Sequence, residues 1–156
     1  MAQSSVAGPV TDVATSARPS HGGLLSPQAR TLMNRADAEL VAAQYSPESW
    51  ERFSHAHLAA LRAGAAVVAA RGTVPTRGAS RTVWALLRKA APELDRWAAF
   101  FEAGAAVRSA VDAGRFDVLS EERAEDTLCA AEDFVDAARA LLGEEHPLDL
   151  RVARAS

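Results

Sequence analysis

Between Ser26 and Leu142, small and apolar residues recur at steps of three and four, and nowhere do apolar and polar residues alternate strictly. That spacing gathers into stripes on helices and cannot line one face of a strand, so the chain is predicted to be all-α. Short links between long helices favour antiparallel neighbours. The expected architecture is an antiparallel bundle of about five helices in a single domain, which suits 156 residues.

Punctuation places the helices. Ser26-Pro27 opens the first, with serine as cap and proline at the first helical position, and its stripe is Ala29, Leu32, Met33, Ala36, Leu40 and Ala43. Ser46-Pro47 is expected to open the second in the same way, with Trp50, Phe53, His57, Leu61, Gly64 and Val68 on one face and Gly72 at its end. The segment from Gly72 to Gly78, which contains Pro75, reads as a loop. Ser80 is expected to cap a third helix carrying Val83, Trp84, Leu86 and Leu87. A fourth runs from Pro92 to about Ala113 along Leu94, Trp97, Phe101, Gly104, Arg108 and Val111, with Phe100 on the flank, and Gly114 stops it. The fifth starts at Ser120 with acids in its first turn, follows Ala124, Leu128, Ala131, Val135, Ala138 and Leu142, and ends at Gly143 and Pro147. Trp50, Trp84, Trp97, Phe53, Phe100 and Phe101 are all assigned to the core.

Residues 1–25 mix Ser, Ala, Gly, Pro and Thr without apolar periodicity and read as a disordered tail. The bundle is assigned to 26–143 and a short tail to 144–156. Cys129 is the single cysteine, so no internal disulfide can form, and no Cys/His spacing suggests a metal site; neither metal nor other cofactor is expected. Apolar runs are alanine-rich and interrupted by arginine, so no membrane span is expected, and a cytoplasmic location fits.

The net charge of -3 conceals an asymmetry. From Arg52 to Pro92 there are seven basic residues, Arg52, Arg62, Arg71, Arg77, Arg81, Arg88 and Lys89, and no acid. From Asp117 to Asp149 eleven acids face only Arg123 and Arg139. Arg71, Arg77, Arg81, Arg88 and Lys89 bracket one loop and are the candidate nucleic-acid-binding residues; the alternative is an ordinary solvated loop.

Three segments, Arg52 to Val67 (RFSHAHLAALRAGAAV), Arg81 to Leu87 (RTVWALL) and Ala91 to Arg108 (APELDRWAAFFEAGAAVR), resemble the SAV_6107 group of HEPN-domain proteins from actinobacteria. The resemblance implies a helical bundle, commonly dimeric, that is either a metal-independent ribonuclease of toxin type or a module binding RNA, a nucleotide or a partner such as a nucleotidyltransferase or antitoxin-like protein. The nuclease motif it implies is arginine followed four to six residues later by histidine. Histidine would move the proton and arginine would neutralise the phosphorane.

Arg52 with His57 and Arg139 with His146 match that pattern, but sixteen arginines and four histidines give about one match by chance. On a continuous helix Arg52 and His57 diverge by about 140° and cannot meet one phosphate. The fourth helix carries Arg108 but no histidine. Arg52, His57 and Arg108 are therefore weak catalytic candidates. Arg108, on an otherwise apolar stripe, either pairs with an acid or lines a groove. His57 is either a hydrogen-bonded core residue or part of a nucleotide pocket beside Arg108, and His55 reads as solvated surface. The reading of the whole is a non-catalytic HEPN-like binding module, with the endoribonuclease as the alternative.

Overall fold

A computed structural model describes residues 25–72 and 82–143. Of the expected tails at 1–25 and 144–156, all but Leu25, together with Arg77, Ser80, Arg81 and His146, lie outside the described residues. Within them the chain forms helices α1 (Pro27–Tyr45), α2 (Ser49–Arg71), α3 (Val83–Ala90), α4 (Asp95–Ala103), α5 (Ala105–Asp112) and α6 (Glu121–Leu141), with 3-10 turns at Pro92–Leu94 and Phe116–Val118. No described helix is long and apolar enough to cross a membrane.

Caps explain most boundaries. Ser26 accepts from the Ala29 amide at 3.1 Å and Ser120 from the Arg123 amide at 3.1 Å. Gly72 ends α2 in the left-handed region, φ 61°, where a side chain would be strained. Two expectations are corrected here. Ser46 does not cap α2: its hydroxyl donates back to the Ala42 carbonyl at 2.7 Å as α1 closes, and Glu48 is the residue before α2. Thr82, not Ser80, caps α3, accepting from the Ala85 amide at 3.2 Å.

Cross-helix pairs give the topology. Glu39 meets His55, and Asp37 and Gln44 meet Arg139 and Glu132, so α1 runs antiparallel to both α2 and α6. The N-terminal halves of α2 and α6 are joined by Arg52 with Glu125, so these two helices point the same way. The return run through α3, α4 and α5 makes that possible. His55 is thus corrected from solvated surface to a half-buried tie between α2 and α1, its Nδ1 2.7 Å from Glu39 Oε2.

The main core joins the alanines of α1 and α2 to Trp84, Leu87, Phe101 and Phe134. Trp84 stacks on Phe101 at 5.4 Å and Phe134 tilts against both. Gly64 admits α3, because a Cβ there would lie 3.0 Å from Val83 Cγ1. A smaller cluster of Phe53, Val111 and Ala124 closes the far end, where Trp50 stacks on Phe116 at 4.9 Å. Phe100 is the exception among the six aromatics assigned to the core: it is 43% exposed.

The expected single fourth helix is instead two. At Gly104 the amide turns back to the Phe100 and Phe101 carbonyls at 3.2 and 3.1 Å, and α5 restarts with the Arg108 amide on the Gly104 carbonyl. The break leaves the Phe101 carbonyl reachable from outside its own helix.

Candidate functional site

Among the described residues, the break and α2 together bring two of the predicted site residues, His57 and Arg108, into contact. His57 is buried, and its Nε2 lies 3.1 Å from the Phe101 carbonyl while its Nδ1 lies 3.3 Å from Arg108 Nη1. A carbonyl only accepts and a guanidinium only donates, so these partners fix the tautomer: Nε2 carries the proton and Nδ1 accepts. Burial pushes the imidazole below its ordinary value of 6.5, with the Arg108 charge acting in the same direction; the Phe101 carbonyl and Asp112 oppose them. Arg108 is held from its other side by Asp112, Nε to Oδ2 3.6 Å. His57 Cδ2 would lie 3.6 Å from a Cβ at Gly104, so the ring rests directly on the helix break.

Arg52 is not part of this site. It pairs with Glu125 of α6 and donates to the carbonyl of Ser46, just past the end of α1, at 2.9 Å. Arg139, the other arginine of the spacing motif, pairs with Asp37.

The basic stretch also has structural partners. Arg71 donates to the Ala90 carbonyl at 2.8 Å and to Glu93 at 2.7 Å; the Glu93 carboxyl is held below its usual range first by its own backbone amide and then by Arg71. Arg88 spans Asp95 and Glu102 at 3.1 and 2.7 Å. Lys89 is exposed. The acids that meet Arg71 and Arg88 all come from the segment just after Pro92, so a stretch that is acid-free in sequence is bordered by carboxylates in space.

Beside His57 opens a cleft of about 230 Å³. Its apolar wall is Phe53, Phe100 and Phe101, with Gly104 and His57 as floor. The opposite wall is α6, which offers Arg123, Asp126 and Thr127. Thr127 is buried and its hydroxyl donates to the Arg123 carbonyl at 2.7 Å. The α6 wall was missed from sequence; the signal that could have found it is the second row of α6, Thr127, Ala131, Phe134 and Ala138, which is wholly buried. Among the described residues no His, Cys, Asp and Glu side chains cluster to hold a metal ion.

Neither a curated protein nor a solved structure matches the chain. The family model for SAV_6107-like HEPN domains matches residues 43–139, from the end of α1 through most of α6, and the match includes His57, Phe101, Gly104 and Arg108. It spans more than half of the chain, and the protein therefore belongs to the SAV_6107-like HEPN family.

Proposed function

We propose that the protein is a non-catalytic HEPN-like module that acts by binding. The observation that carries this reading is the commitment of both His57 ring nitrogens, one to the Phe101 carbonyl and one to Arg108. General acid-base work on a ribose hydroxyl needs a ring nitrogen within hydrogen-bond reach of substrate, and here each is already occupied by protein. The ion pairs of Arg71 and Arg88 favour a compact ligand or a protein partner over a long polyanion. Contact with RNA would fall to the basic residues that bracket the loop between α2 and α3, Arg71, Arg77, Arg81, Arg88 and Lys89. A homodimer and a nucleotidyltransferase or antitoxin-like partner belong to the same proposal.

The ribonuclease reading is favoured by one observation, the 3.3 Å approach of an arginine to a histidine from different helices. Incubation of purified protein with RNA in the presence of chelator separates the two. No cleavage is expected; chelator-resistant cleavage lost in Arg108→Gln, with the fold intact, would overturn the binding-module reading.

A further inference from the structure

We infer that the cleft between α4 and α6 is a subsite for an aromatic α-amino acid, its ring among Phe53, Phe100 and Phe101, its carboxylate on Arg123 and its ammonium on Asp126. This inference rests on the reading of the protein as a binding module and names a ligand class for it.

Size is the first argument. A cleft of about 230 Å³ falls below the ~300–1,000 Å³ of sites for drug-sized ligands. It matches one ring with a short polar end, and a nucleotide's sugar and phosphates would extend past its rim toward the acids of α6.

Charge is the second. Arg123 and Asp126 sit on neighbouring turns of α6, side chains about 5–6 Å apart at Cβ, and neither pairs with another described residue. An α-amino acid carries its two opposite charges on a single carbon, so both can be met from adjacent helical positions. The other polar groups of the cleft are engaged: His57 through both nitrogens, and Thr127 through its donated proton. The rim charges are what remain to orient a ligand. Glu121, Glu122 and Glu125 share the start of α6 with Asp126, a field that repels phosphates and leaves a neutral zwitterion indifferent.

Phe100 is the third. A phenylalanine 43% exposed at the mouth of a cleft is out of place as core and well placed to cover a bound ring, edge or face.

The test is titration of the uniformly 15N-labelled full chain with L-phenylalanine, followed by amide shifts. Saturable shifts are expected at Phe101, Gly104 and Thr127. 3-Phenylpropionate, which lacks the ammonium, and phenethylamine, which lacks the carboxylate, should each bind about tenfold or more weaker, as loss of one charged hydrogen bond predicts. Asp126→Asn and Arg123→Gln, both at exposed positions, should weaken L-phenylalanine by a similar factor and leave the rest of the spectrum unchanged. No saturable shift at about 10 mM ligand would overturn the inference. So would either truncated probe binding as tightly as L-phenylalanine, or guanosine binding more tightly than L-phenylalanine. None of these outcomes bears on RNA cleavage, so failure of the ligand assignment and failure of the binding-module reading remain distinguishable.

Discussion

Two faces of α2 are built from opposite materials. The face that carries His55 toward α1 also carries Ala59, Ala63 and Ala66, which are fully buried, and α1 answers with Ala29, Met33, Ala36 and Ala43. The opposite face carries Phe53, His57 and Gly64, and α3, α4 and α6 answer with Trp84, Phe101 and Phe134. On the first face the backbones approach closely and nothing but helix is needed. On the second, rings and one imidazole must be fitted, and the α4–α5 helix breaks to fit them. Regular packing of small side chains holds the frame, while irregular packing of large ones creates the cleft.

The comparison predicts a graded response to substitution. Phe134→Ala removes a fully buried ring from the junction of Trp84, Trp97 and Phe101 and should cost about 3–5 kcal/mol in urea unfolding. Ala66→Leu forces three extra carbons into the close seam with α1 and should cost about 1–3 kcal/mol. If the leucine were accepted without loss, the α1–α2 seam would not be the tight frame described.

A smaller effect comes from His57 itself. Its folded-state pKa lies below the ordinary value of 6.5, so as pH falls through that value the unfolded chain takes up the proton first. The stability contributed by neutral His57 is therefore complete above about pH 6.5 and declines below it, at up to about 1.4 kcal/mol per pH unit for one proton. Unfolding midpoints at pH 7.5 and 5.5 should fall further apart in the wild type than in His57→Gln. Equal spacing would show that the imidazole is not held neutral.

The all-α class and most helix limits were legible because they follow local rules: the alanine stripe of α1, Ser26 and Ser120 as caps, and Gly72 as terminator. The break at Gly104 was not legible, since Gly104 and Arg108 continue the stripe of Leu94, Trp97 and Phe101 without interruption, and the cause is a carbonyl offered to a histidine on another helix. Ser46-Pro47 misled because the hydroxyl can serve the helix before it as well as the helix after it. Arg52 and His57 were rightly expected to diverge, being five residues apart on one helix. That His57 would find Arg108 was foreseen only as one of two alternatives, because no local pattern records the approach of α5 to α2. The basic stretch looked free because its compensating acids, Glu93, Asp95 and Glu102, start just beyond Pro92.

Long-range 1H–15N correlation of the histidine side chains reports whether His57 is neutral and engaged at both nitrogens. At neutral pH the His57 ring should show a protonated Nε2 and an unprotonated, hydrogen-bonded Nδ1, and this pattern should persist as the pH is lowered below 6.5. A protonated Nδ1, or an imidazolium forming at the ordinary value, would contradict it and return His57 to the pool of available proton carriers.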